Sequence, residues 1–330
     1  MKKLGIALAF LLAVTPLRAD FLEGEAAFVS KRYSEAMQNF RPLADAGDFR
    51  SQYYVAYMYL NGYGVSQNEK VGLSYLQKSL DQNYHLAQAL MGFLYSQGIA
   101  VQKDHKKAVA LYQKAADQGN TSALLNLGIA YYQGDGVPRN LAKAIELLSN
   151  IPVDKQPAAG RYLGDIYLQQ DADNVEKAVD AYRSAAEAGD LASYAALAEL
   201  YMKGRGIGRD TDRAIKYYTY AASRGYAPAQ YALGITYVNG RYVARNPVLG
   251  HAWLSWAVNQ NFPPASDALS QLKKDMSLSD LDKARQEFMN IQQKVLGKIE
   301  SPFEEERKVK EELERRKSQN RPVGGRRSRR

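Results

Sequence analysis

The 330-residue chain contains no cysteine. That excludes disulfide scaffolds, thiolate zinc sites, cysteine nucleophiles and lipid attachment through a cysteine. Histidine is almost as scarce. His85, His105 and His251 stand far apart, which is a poor basis for a histidine metal site or for imidazole acid–base chemistry. Beyond the first twenty residues no run is apolar enough to span a bilayer. The body also lacks an excess of charge. Of the net +9, Lys2, Lys3 and Arg18 supply +3 and residues 298–330 supply +5, so residues 20–297 sit near neutrality at +1. A domain that tracks a phosphate backbone spreads basic charge over its folded surface, so nucleic acid is not an expected partner. With 46% hydrophobic and 24% charged residues the composition is that of an ordinary globular chain, with ample length for a core.

What is present begins with a leader. Lys2 and Lys3 precede an eleven-residue apolar run, Leu4 to Val14, and Thr15-Pro16-Leu17-Arg18-Ala19 has the character of a cleavage region. Residues 1–19 therefore read as a secretory signal cut after Ala19, too short for a comfortable membrane anchor. The expected destination is a bacterial periplasm, with full secretion as the alternative.

Residues 51–265 are dominated by an internal repeat. The segments QYYVAYMYLNGYGV, QALMGFLYSQGIAV, LLNLGIAYYQGDGV, GRYLGDIYLQQDA, YAALAELYMKGRGI and QYALGITYVNGRYV align on Tyr59, Tyr95, Tyr131, Tyr167, Tyr201 and Tyr237, spaced 36, 36, 36, 34 and 36 residues apart. Counting from each tyrosine as position 0, position −8 is always Ser or Ala and position −4 is always apolar. Position −3 is always Ala or Gly, from Ala56 and Gly92 to Gly234. Positions −8, −4 and 0 share one helical stripe and −3 flanks it, so small residues there predict close approach of a neighbouring helix. A glycine-bearing loop and a second apolar-rich helix follow, with Gly119, Gly189 and Gly225 at its expected left-handed end. Each unit is a helical hairpin whose apolar face needs a stacked neighbour, which predicts an all-α, α-solenoid fold of stacked hairpins. Ile151-Pro152 predicts an early end to the third unit's second helix, and Gln169-Gln170-Asp171-Ala172 replaces the glycine loop of the fourth.

The pattern A-x-x-x-L-G-x-x-Y-x-x-G-x-G-V followed by K-A-x-x-x-Y-x-K-A-A-x-x-G resembles the Sel1-like repeat family, a branch of the tetratricopeptide superfamily. Ala108, Tyr112, Lys114, Ala115, Ala116 and Gly119 carry the likeness, as do Ala123, Leu127, Gly128, Tyr131, Gly134, Gly136 and Val137. The resemblance implies a right-handed superhelix and a ligand groove along the inner face of the first helices. It is nearly silent on activity, and the branch with a disulfide in each repeat is excluded by composition. Around the repeats, residues 20–50 read as a tetratricopeptide-like entry hairpin and residues 266–297 as capping helices, the second of them opened by Ser279 with Asp282. Pro263-Pro264 breaks the repeat pattern. Residues 298–317 read as a solvated, nearly all-charged helix with favourable i,i+4 pairs such as Glu306/Lys310, and residues 318–330 as a disordered basic tail.

A groove on the first helices needs a stripe distinct from the core, and positions −6, −2 and +2 supply one. The candidate partner-binding residues there are Tyr53, Tyr57 and Asn61; Phe93 and Gln97; Gln133; Arg161, Asp165 and Gln169; Glu199 and Lys203; Tyr231 and Asn239. Leu125, Ile129 and Ile235 in the same stripe read as packing between hairpins. Core positions repeat from copy to copy whereas −6 and −2 vary, the pattern of a surface fitted to one partner, with an aromatic floor first and charge in the middle. The Gly-x-Gly loops have no preceding strand and no following Lys-Ser/Thr, so they read as turns rather than nucleotide cradles. Asp135 and Asp165 stand as single acids, so no metal or other cofactor is expected, and no nucleophile–base pair suggests an enzyme or a small-molecule substrate. The expected function is a non-enzymatic adaptor binding a protein or peptide in a cell-envelope assembly. Binding of a wall or surface glycan, or service as an accessory to an envelope enzyme, are the alternatives. Arg326, Arg327, Arg329 and Arg330 would add a weak contact to an anionic membrane or polymer.

Overall fold

The computed structural model describes residues 21–170, 174–295 and 299–319. The leader, the end of the fourth unit's loop and the four tail arginines lie outside them. All regular structure among the described residues is helical, and no described helix is long and apolar enough to cross a membrane. The residues divide into two compact units on either side of the Ile151–Pro152 bond.

The first unit contains α1 (residues 21–29), α2 (Tyr33–Asp45), α3 (Phe49–Asn61), α4 (Glu69–Asp81), α5 (His85–Gln97), α6 (His105–Asp117), α7 (Thr121–Gln133) and α8 (Leu141–Ser149). The second contains α9 (Pro157–Gln170), α10 (Val175–Glu187), α11 (Leu191–Lys203), α12 (Thr211–Ser223), α13 (Ala227–Asn239), α14 (Pro247–Asn259), α15 (Pro263–Lys274), α16 (Leu278–Val295) and α17 (Pro302–Gln319). The repeat hairpins are α3–α4, α5–α6, α7–α8, α9–α10, α11–α12 and α13–α14, and consecutive hairpins within each unit stack on one another. This is the all-α solenoid class anticipated from the spacing.

Local chemistry explains why each hairpin closes. The second helices α4, α6, α8, α12 and α14 start at Asn68, Asp104, Asn140, Asp210 and Asn246, whose side chains each accept from a backbone N–H three residues on. The N–H of that same capping residue donates to the carbonyl of the repeat tyrosine, at 2.8–3.0 Å for Tyr59, Tyr95, Tyr131, Tyr201 and Tyr237. Positions −8 and −3 are buried in all six repeats, and position −4 is buried in five, with Leu163 half-buried. A fully buried leucine such as Leu127 contributes roughly 1.5–3 kcal/mol. The small residue at −3 makes room for one side chain of the second helix. A Cβ on Gly128 would lie 2.8 Å from Leu148 Cγ, and one on Gly164 would lie 2.6 Å from the Tyr182 ring. As expected from Ile151-Pro152, α8 has nine residues where the other repeats' second helices have thirteen.

The ends differ in detail from the sequence reading. Pro263 and Pro264, where the repeat pattern breaks, begin α15, in the first turn where a missing N–H is tolerated. The cap of α16 is Ser277, which accepts from Asp280 N–H at 3.1 Å and donates to its carboxylate at 2.9 Å. This displaces the expected Ser279/Asp282 start by two residues, the same Ser-x-x-acid spacing occurring twice in succession. The charged helix α17 is not wholly solvated, for Phe303 in its first turn is only 8% exposed.

Candidate functional site

The first helices of the repeats place the −6, −2 and +2 stripe beside the buried stripe, and each of its three positions has a separate physical explanation.

In three repeats the residue at position −6 meets the one that precedes the next first helix. Tyr53 meets Tyr84 edge to face at a centroid distance of 5.8 Å, and Tyr231 meets Phe262 at 5.6 Å. Tyr84 and Phe262 occupy N-cap positions yet make no side-chain cap, so the ring contact is their role there. In the fourth repeat the corresponding pair is ionic, with Arg161 Nε 3.4 Å from Asp190 Oδ2. Asp190 also caps α11, accepting from Ser193 N at 2.8 Å and Ser193 Oγ at 2.6 Å. The partners lie 31 residues apart where a repeat is 36 long and 29 apart where it is 34. The variation at −6 therefore follows the neighbouring hairpin: ring to ring, guanidinium to carboxylate.

The charge expected in the middle of the stripe is largely engaged within the second unit. Arg161 lies 3.8 Å from Asp165, whose Oδ1 accepts a 2.6 Å hydrogen bond from Tyr182. Burial pushes the Asp165 carboxyl above its ordinary value, against the opposing pull of Tyr182 and Arg161. Burial opposes the Arg161 charge, yet Tyr162, Asp190 and Asp165 together hold its guanidinium pKa above the ordinary value. Glu199 and Lys203 form an ion pair one turn apart on exposed surface. Tyr231 is half-buried beside the cluster that seats α15.

Position +2 is the last residue of the first helix in five repeats, namely Asn61, Gln97, Gln133, Lys203 and Asn239, and the glycine after each has φ between 64° and 85°. A polar residue suits an exposed helix end. Asn61 Nδ2 donates to Tyr57 O at 2.8 Å, and Gln97 Nε2 donates to Ser96 Oγ at 3.2 Å. Gln169 falls one residue before the end of α9 and is exposed.

Position −2 holds the aromatic side chains Tyr57 and Phe93. Tyr57 is half-buried and stacks on Tyr53 at 6.4 Å, with Phe28 and Tyr63 both 6.0 Å away. Phe93, one repeat on, is 44% exposed, and Ile99 in the following loop is 46% exposed. Burial pushes the Tyr53 hydroxyl up to about 12 and raises that of Tyr57, so this platform stays neutral across physiological pH. Gln97 and Gln133 rim one cleft of about 100 Å³, together with Tyr112 and Ile129. The first unit thus carries an aromatic cluster around Tyr53 and Tyr57 and a polar-edged cleft on α5, α6 and α7, side-chain types suited to recognising a polypeptide surface. Tyr84 and Phe28 pack against these rings and were not among the sequence candidates; the recurring 31-residue offset from −6 is the signal that finds Tyr84. Among the described residues no group of three or more acids or histidines is placed to hold a metal ion.

A family model described as the Sel1 repeat matches residues 50–84, 85–120, 121–149, 159–190, 191–226 and 227–262. Among solved structures, c5321, a protective antigen present in uropathogenic Escherichia coli strains displaying an SLR fold, superposes with a TM-score of 0.73 at 24% identity. The match covers 95% of this chain and 66% of that one, so the chain spans just under two thirds of the antigen's length. A Sel1 repeat protein from Oxalobacter formigenes superposes with a TM-score of 0.65 at 28% identity, over 73% of this chain and 99% of the other. A comparison with curated proteins finds no match.

Proposed function

This chain belongs to the Sel1 repeat family, and from that premise we propose that it is a non-catalytic scaffold of the cell envelope that binds a polypeptide partner through the first helices of its first unit. The observations that carry the reading are the ring cluster of Tyr53, Tyr57 and Tyr84 and, at the same stripe position one repeat on from Tyr57, the exposed Phe93. Aromatic anchors with a polar rim concentrate binding energy, and the repeat architecture supplies a rigid support for them. Export rests on the Lys2–Ala19 leader, and the periplasm is the compartment that suits a cysteine-free chain needing no oxidative folding. The tail arginines Arg326, Arg327, Arg329 and Arg330 add a salt-sensitive contact to an anionic envelope surface.

A photo-crosslinking residue at Phe93 tests the groove in living cells, with the same residue at exposed Lys114 on α6 as the control. A polypeptide adduct should form at position 93, be absent at 114, and disappear when Tyr57→Ala is added. Equal labelling at both positions refutes the groove. Fractionation with N-terminal sequencing of the mature chain tests export: it should begin at Asp20 and be released with the periplasm.

A further inference from the structure

The repeats provide an internal control for departures from the pattern. In the first two, a buried glutamine at −7 pairs with a glutamine at +23: Gln82 Nε2 donates to Gln52 Oε1 at 2.9 Å, and Gln118 Nε2 to Gln88 Oε1 at 2.8 Å. The third, fourth and fifth repeats lack both glutamines, and in the fifth their places are taken by Tyr194 and Arg224. These two residues are where the C-terminal segment docks. Tyr194 and Ser301 hydroxyls lie 2.9 Å apart, and Arg224 Nη2 donates to Ile299 O at 3.4 Å.

The seat is built from second helices α10 and α12, with Tyr194 of α11 at its edge. Phe303 packs against the rings of both Tyr194 and Tyr217, at 5.2 and 5.3 Å, which themselves meet edge to face at 6.0 Å, with the Arg183 guanidinium 5.7 Å from the Phe303 centroid. Glu306, one turn on and on the same helix face, lies 3.4 Å from Arg213 Nε and 3.9 Å from Arg183 Nη1, and accepts from the Tyr217 hydroxyl at 3.2 Å. Glu305 pairs with Lys216 at 2.9 Å. Val309 is 58% exposed, and α17 is flanked by cavities of about 640 and 480 Å³. Within four residues α17 thus presents an apolar anchor and two acids, each met by complementary groups of α10 and α12.

We propose that this seat is a recognition site for helical peptides carrying a phenylalanine followed two and three residues later by glutamates, and that α17 is its tethered occupant, displaced when a partner polypeptide offers the same chemistry. The site lies on the second helices of the second unit, so it is separate from the aromatic platform proposed above and does not depend on it. Phe303 supplies the apolar anchor. Arg183, Arg213 and Lys216 read the acids, and Tyr194 and Arg224 guide the segment leading into the helix.

The test uses the full chain and a fluorescein-labelled peptide of residues 299–312. Phe303→Ala/Glu306→Gln vacates the seat while leaving its walls untouched. The peptide should bind this variant about tenfold or more tightly than the wild-type chain, where the tethered helix competes at high effective concentration. A peptide with the same two replacements should lose that binding. Equal affinity for both chains, or no binding to a variant whose circular dichroism matches the wild type, overturns the proposal. If the variant loses helicity, hydrogen exchange on the wild-type chain decides: excess peptide must accelerate exchange of the amides from 304 to 312, and unchanged protection overturns it.

Discussion

At Gly128 one added methyl group would meet the branch point of Leu148, a fully buried side chain without room to retreat. Overpacking of this kind destabilises by about 1–3 kcal/mol, so Gly128→Ala should lower the urea midpoint with little change in slope. Gly119 poses a different constraint. Nothing lies within 4 Å of its missing Cβ, and only its φ of +83° matters. Asn83 and Asn261 hold the same register in other repeats at φ 60° and 55°, so asparagine is a conformationally suitable replacement there. His251 carries a pH dependence. Burial, reinforced by Lys273 and Arg285, depresses its pKa, so the fold prefers the neutral ring. The unfolded chain then takes up the proton first on acidification, and the stability present above pH ~6.5 declines below it. His251→Gln should narrow the difference in melting temperature between pH 7.5 and pH 5, and an unchanged difference would assign the acid sensitivity elsewhere.

Among helices, the contact between position −6 and the following N-cap is the joint on which stacking turns. A double-mutant cycle on Tyr53→Ala and Tyr84→Ala should give a coupling of about 0.5–1.5 kcal/mol, the range for an edge-to-face aromatic pair. Coupling near zero would mean that each ring packs independently. The cycle also bears on what the linear sequence discloses. Tyrosine spacing and the small residues at −8 and −3 were legible because every hairpin solves the same local packing problem. Tyr53, Arg161 and Tyr231 were harder to interpret, since a variable position can answer to a ligand or to a neighbour 29 or 31 residues on, and only the stacked hairpins display that neighbour. Helix α17 was read as solvated for a related reason. Its i,i+4 charges are visible along the chain, whereas Lys216, the partner of Glu305, lies 89 residues away.

For the molecule as a whole, the 36-residue period makes a test of modularity. Deleting residues 85–120 removes one complete repeat and leaves Tyr84 to precede α7 while still facing Tyr53. The product should keep the helical signal per residue and a cooperative thermal transition in circular dichroism. Deleting 95–112, half a period, joins a first helix to the middle of a second and should abolish that transition. If both deletions behave alike, the stacking of hairpins is not what confers order on the first unit.

The joints impose a grammar on any attempt to rearrange the modules. Arg161 requires the carboxylate that heads its successor, whereas Tyr53 and Tyr231 require a ring, so a shuffled array would set guanidinium against phenol and ring against acid. A transplanted repeat must travel with the first residue of the one that follows it.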